Sequence, residues 1–181
     1  MSCVTLGGNY KGCISSLKEA SLDDSDQNNK HYMTKSNLSV YDFDKVKAQY
    51  STALGMSTRP KSVDALSSST NGDIYLNEFK NGNLSDKVKK LEIRQKIYDS
   101  LIMLYDLLGI DLVRSRHEVV FVLVYNQRKN NSRVKIANAV SRKANSSFAI
   151  NGLNGLQGFC LKEMKTVTEA EFNKDVLPLL V

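Results

Sequence analysis

Seven strand-forming residues in a row, Val119-Val-Phe-Val-Leu-Val-Tyr125, constrain this chain more than any other stretch. A strand with one face in water alternates apolar and polar residues, whereas an unbroken β-branched and aromatic run suits a strand buried on both faces. Such a strand belongs in the middle of a sheet covered by helices. Ahead of it lie a long helical pattern and, before that, two strand-like runs separated by a turn. Hairpin, crossover helix and buried strand together predict an α/β domain with a mixed β-sheet core flanked by helices.

The hairpin occupies Lys61–Gly82, KSVDALSSSTNGDIYLNEFKNG. Its strand-forming runs, around Ser62–Leu66 and Asp73–Phe79, flank a polar segment whose Asn71-Gly72 pair is a strong turn signal. Three charged residues sit on these runs, where a buried face normally avoids charge: Asp64 on the first, Glu78 and Lys80 two positions apart on the second. Whether Asp64 meets Glu78 depends on the loop. A two-residue Asn71-Gly72 turn would set Asp64 opposite Phe79, on the wrong face. A three-residue loop with Gly72 in the left-handed region would set it opposite Glu78. Two carboxylates converging on a hard cation, with an ammonium beside them, form a minimal set for metal-assisted phosphodiester hydrolysis.

At these residues the chain resembles the PD-(D/E)XK nuclease superfamily, whose pattern is an Asp on one strand followed on the next by Glu or Asp, any residue, and Lys. Here that reads Asp64, thirteen residues, then Glu78-Phe79-Lys80, and the resemblance spans roughly Tyr41–Tyr125. It implies a restriction-endonuclease-like fold with an αβββαβ core. It further implies Mg²⁺ or Mn²⁺ held by Asp64, Glu78 and the Phe79 carbonyl, with Lys80 acting on the attacking water and DNA, less readily RNA, as substrate. Superfamily members often place a Gln or Lys on the helix after the hairpin facing the metal, and Gln95 matches that position; a polar residue at the edge of an apolar stripe explains it equally. The first helix often adds another acid, for which only Asp42 and Asp44 are present. Members that cut both strands often work as dimers, so a homodimer is a possible assembly.

The triplet by itself carries little, because a chain with 19 acids and 18 lysines should contain acid-any-Lys about twice by chance. It does so twice, at Glu78-Phe79-Lys80 and Glu163-Met164-Lys165. Only the first follows a partner strand bearing an Asp and precedes a long helix. The alternative reading is a catalytically inactive member of the same fold that binds nucleic acid or a protein partner.

A formal charge of +6 suits a polyanionic partner. At 181 residues one domain is expected, residues 39–181, preceded by a partly flexible extension, 1–38, with a short helix around Ile14–Leu22 and a polar run after it. Periodicity predicts a helix over Ser39–Leu54 capped by Ser39, then a long helix to about Leu108 with Val88, Leu91, Gln95, Tyr98, Leu101, Ile102, Tyr105 and Leu108 facing inward. Beyond the central strand come a basic helix, Ser132–Ala144, a strand near Phe159–Met164, and a capped helix from Thr168 to Leu177. The chain has no apolar run of about 18 residues for a membrane span, no signal-peptide start, and three cysteines without paired spacing, which together point to a cytoplasmic, intracellular protein. No Walker or Rossmann loop, HExxH or CxxC is present.

Overall fold

The structure is a computed structural model and describes residues 4–23, 30–84, 87–130 and 153–181. A short 3-10 turn leads into strand β1 (Ile14–Ser16), helix α1 (Leu17–Ala20), a two-stranded ribbon of β2 (Leu22–Asp23) and β3 (His31–Tyr32), strand β4 (Ser39–Asp42) and helix α2 (Phe43–Ala53). Strands β5 (Ala65–Ser68) and β6 (Ile74–Lys80) form the hairpin. Helix α3 (Lys87–Leu108), helix α4 (Leu112–Glu118), strand β7 (Val119–Tyr125) and strand β8 (Glu163–Thr168) follow. The sheet runs β1-β4-β5-β6-β7-β8. Pairing is antiparallel from β1 to β6 and parallel from β6 to β8. The architecture is therefore α/β with a mixed six-stranded sheet, and β7 is buried along its whole length as its composition requires.

Helices cover both faces. On one, Leu66, Leu76, Phe121 and Leu123 of the sheet pack with Phe43 and Val46 of α2 and with Ile93, Ile97 and Leu104 of α3. On the other, Ala65, Tyr75, Phe79, Val120 and Val122 pack with Leu17 of α1 and with Phe172 and Val176 of the helical C-terminal segment. Phe79 and Phe172 meet edge to face, ring centroids 5.6 Å apart. The C-terminal segment begins at Thr168 with a capping box, its hydroxyl accepting from the Glu171 amide while the Glu171 carboxylate accepts from the Thr168 amide.

Several boundaries differ from the sequence reading. Ser39–Asp42 is a strand, because Val40 and Tyr41 pair with β1 and β5, and the helix starts at Phe43 under an Asp42 cap whose side chain accepts from the Lys45 amide. Residues set apart as an extension supply the edge strand β1, and Leu6, Cys13, Leu17 and Met33 are core residues. Ile14–Ser16, expected within a short helix, is that strand, leaving helix only over Leu17–Ala20. The last strand begins four residues later than expected, at Glu163, where β-branched Thr166, Val167 and Thr168 can pair with β7. The expected C-terminal helix changes pitch, from an α-turn to a π-turn over Phe172–Val176 and a 3-10 turn over Leu177–Leu179. The basic helix expected over Ser132–Ala144 lies outside the described residues.

Candidate active site

The hairpin loop decides the register. Ala65 pairs with Asn77 and Ser68 with Ile74, and Ser69 donates from its amide to the Asp73 carbonyl at 2.8 Å. The connecting loop is therefore three residues, Thr70-Asn71-Gly72, with Gly72 at φ +88° and its amide bonded to the Ser69 carbonyl. An odd loop carries Asp64 opposite Glu78, with the Asp64 amide donating to the Asn77 carbonyl at 3.1 Å. The first strand lies further along than expected and runs through Ser67 and Ser68, which are buried; the Asn77 amide group donates to the Ser67 hydroxyl at 3.0 Å. Asp64 stands just before it rather than in its middle.

The segment leading to Asp64 is held by two helices. The Ser62 hydroxyl donates to Asp44 on α2 at 2.6 Å. Asp99 and Ser100 on α3 accept from the amides of Lys61 and Val63 at 2.7 and 3.1 Å. Asp64 then accepts a 2.6 Å hydrogen bond from the Phe79 amide through Oδ2. Three of these bonds hold the segment before Asp64 and the fourth orients its carboxylate.

Glu78 lies on the sheet face covered by α3, with no exposed surface. A buried carboxylate requires compensation, and two ammonium groups supply it. Lys96 of α3 donates to both Glu78 oxygens, at 2.7 and 2.9 Å, and to Asp64 Oδ1 at 3.2 Å. Lys80 Nζ lies 2.9 Å from Glu78 Oε1. Two carboxylates and two ammoniums thus balance. Burial and the Glu78 charge push the Asp64 carboxyl up to about 7, against the pull of Lys96, the Phe79 amide and Lys80. Burial disfavours the Lys96 ammonium, but Glu78 and Asp64 outweigh it and hold that group above the ordinary lysine range.

This cluster borders a cavity of about 580 Å³ into which Asp64, Phe79 and Lys80 face. Its wall adds Glu19 and Asp23 from the N-terminal region, Asp42 and Asp44 from the start of α2, and Glu92 from α3. Burial also opposes ionisation of Asp44, but bonds from Lys47 and Ser62 outweigh it and hold its carboxyl below the usual carboxylate range. The opening lies at the C-terminal end of β6, where its parallel pairing with β7 ends. There the Asn126 amide donates to the Lys80 carbonyl at 3.1 Å and the Asn126 side chain to Asn81 at 2.7 Å.

Of the residues singled out from sequence, Asp64, Glu78, Phe79 and Lys80 come together. Gln95 does not: its residue is exposed, and the neighbouring Lys96 reaches the carboxylates instead. Lys96 shares the buried side of α3 with Ile93 and Ser100, three before and four after it. The spacing Ile93, Ile97, Leu101, Leu104 was the signal that could have found it. The Asp42 and Asp44 carboxyls line the cavity rather than joining the ion-pair cluster.

Among the described residues no three Asp, Glu, His or Cys side chains are grouped as a ready metal cage. The donor chemistry nevertheless suits a hard cation, since Asp64, Glu78 and the Phe79 carbonyl all offer oxygen. Lys96 Nζ lies between the two carboxylates, 2.7 Å from Glu78 Oε1 and 3.2 Å from Asp64 Oδ1. Among the described residues no helix is long and apolar enough to cross a membrane. The chain matches no protein-family model, no curated protein and no solved structure. What the fold and cluster define is an α/β domain with a mixed sheet and a paired carboxylate and ammonium site at one strand end.

Proposed function

We propose that the chain is a divalent-metal-dependent nuclease of the restriction-endonuclease-like fold, hydrolysing phosphodiester bonds in DNA, less readily in RNA. The observation that carries this reading is the convergence of Asp64, Glu78, Lys80 and Lys96 at the edge of a cavity lined by further acids. Strands β4, β5 and β6 pair antiparallel in that order and α3 leads to a parallel β7, which supports an αβββαβ core apart from the placement of α2 between β4 and β5.

Mg²⁺ or Mn²⁺ would be held by Asp64, Glu78 and the Phe79 carbonyl, where it supplies Lewis-acid polarisation of a phosphate oxygen and lowers the pKa of a bound water. The chain's own residues do the rest. The fixed Asp64 carboxylate and the register of the hairpin hold the ligand oxygens in place. Lys80, a quarter exposed beside Glu78, orients a water and neutralises charge developing on phosphate. Lys96 donates to both Glu78 oxygens and so holds that carboxylate in place inside the fold. The +6 net charge favours a phosphate backbone as partner.

Incubation with single-stranded, duplex and branched DNA and with RNA, in Mg²⁺, Mn²⁺ or EDTA, tests the reading. Metal-dependent cleavage that disappears in Asp64→Asn supports it; no cleavage of any substrate, or cleavage unaffected by the substitution, rejects it. A second reading, a non-catalytic module on the same fold, is favoured by the saturation of both Glu78 oxygens by ammonium groups. It requires nucleic-acid or protein binding with no cleavage and no loss of binding in Asp64→Asn.

A further inference from the structure

A groove of about 780 Å³ opens between α3 and α4 and shares no residue with the acid-lined cavity. Ile102 and Tyr105 form its α3 side, Leu112 and Val113 its α4 side, and Phe159 adds to the lining. All five are more than half exposed. Apolar side chains left together in water mark a binding surface, and the volume is that of a small-molecule site. Two polar residues of the groove are already engaged. The Ser115 hydroxyl donates to the Leu112 carbonyl at 3.1 Å, and Asp111 Oδ1 accepts from the Arg114 amide at 2.8 Å. An extended peptide laid here would leave most of its amides unpaired, whereas an aliphatic chain has none to satisfy.

The rim supplies a cation. On α4, Arg116 follows Leu112 by four residues and Val113 by three, which puts it on their face of the helix. Its Nε donates to the Phe159 carbonyl at 2.7 Å, which holds the guanidinium at the groove with both terminal amino groups turned to other partners. Arg114 is spent in a bidentate pair with Glu118, but among the described residues no carboxylate pairs with Arg116. Burial pushes the Cys160 thiol up while Arg116 and Arg94 pull it the other way, so the basic end of the groove lies at Cys160. Asp111, the cap of α4, stands five residues before Arg116, about 7 Å away along the helix axis.

We propose that this groove binds a free medium-chain aliphatic carboxylate, with its chain between Ile102 and Leu112 and its carboxylate on the terminal amino groups of Arg116. The planar guanidinium meets a carboxylate in a two-point contact. Arg116 suits a monoanion, because a phosphate dianion would bring a second negative charge toward Asp111. The same acid disfavours an anionic membrane as the occupant: a bilayer meets the whole face, the exposed Asp106 and Asp111 included, while a single chain touches Arg116 and the apolar walls. From Tyr98 to Tyr105 the α3 wall is about 10 Å long, the reach of roughly eight or nine C–C bonds of ~1.5 Å with tetrahedral bends. The proposal stands apart from the nuclease reading, with which it shares no residue.

Calorimetric titration of the full chain with octanoate, decanoate and 1-octanol tests it. Decanoate should bind below about 1 mM and more tightly than octanoate, by up to ~4-fold for each added CH₂ buried. Octanol, which has the chain without the charge, should bind wild type about 10-fold more weakly than octanoate. In Arg116→Gln, octanoate should fall to the level of octanol while octanol is unchanged. Val113→Glu, with unchanged circular dichroism, should lose both ligands. Should Arg116→Gln fail to fold, the comparison of acid with alcohol on wild type decides. No binding of decanoate, equal binding of octanoate and octanol by wild type, or a folded Arg116→Gln chain that still prefers the acid overturns the proposal. Pelleting with phosphatidylglycerol vesicles in a chain that binds no free decanoate also overturns it, and assigns the face to a membrane surface.

Discussion

Lys96 Nζ lies 2.7 Å from one carboxylate oxygen of Glu78 and 2.9 Å from the other, and Glu78 has no exposed surface. The pair spans the gap between α3 and β6. A buried ion pair adds modest net stability, but removing one partner strands the other charge. Lys96→Met should therefore destabilise the fold by about 3 kcal/mol or more, read as a lower urea midpoint with little change in slope. A midpoint within a few tenths molar of wild type would mean that Glu78 is not held as described.

Asp64 gives the metal-free protein a pH signature. Its folded pKa, pushed up to about 7 by burial and Glu78, lies above the ordinary carboxylate value. The folded state then holds a proton that the unfolded chain has lost, so stability falls as pH rises from about 4 to 7 and is level above that. Asp44, held below the usual range, has the opposite sign: its contribution is present above the unfolded pKa and lost as pH falls. Comparing unfolding of wild type and Asp64→Asn in EDTA isolates the first effect. Wild type should lose stability relative to the variant between pH 4 and 7, whereas parallel curves would show that Asp64 titrates normally.

The three-residue loop is a second lever. Gly72 sits at φ +88° with open space around its Cα, so Gly72→Ala should cost about 1 kcal/mol through backbone strain alone. Deleting Asn71 should do more, because an even loop turns Asp64 away from Glu78. Thermal unfolding measures the first. Loss of metal-dependent cleavage in a folded deletion variant checks the second.

Much of this was readable in the residues. The unbroken run Val119–Tyr125 gave its burial away, and the loop parity needed to join Asp64 to Glu78 could be counted before any coordinates. The phase of α3 could not. Leu91, Tyr98, Ile102 and Tyr105 form as convincing a stripe as Ile93, Ile97, Leu101 and Leu104, and periodicity does not tell which faces the sheet. Choosing the first stripe brought Gln95 forward and hid Lys96. The strand Ser39–Asp42 was concealed for a related reason: Val40 and Phe43 also fit a helical spacing, and only pairing with β1 and β5 settles the matter.

Lys80 separates chemistry from folding. It is a quarter exposed and Glu78 keeps Lys96 without it. Lys80→Ala should lower the cleavage rate ~100-fold or more, the usual weight of a positioned acid–base or electrostatic group, while the melting temperature moves by a few degrees at most. Equal rates in the two proteins would remove Lys80 from the reaction.

Calorimetric titration with Mn²⁺ at pH 8 tests most directly whether Asp64 and Glu78 form a metal centre. Wild type should bind the cation with displacement of Lys96 from the carboxylates, and a folded Asp64→Asn chain should show no binding in the same range. No binding by wild type at millimolar Mn²⁺, or equal binding by both, would contradict the account and leave the cluster as a buried ion-pair network.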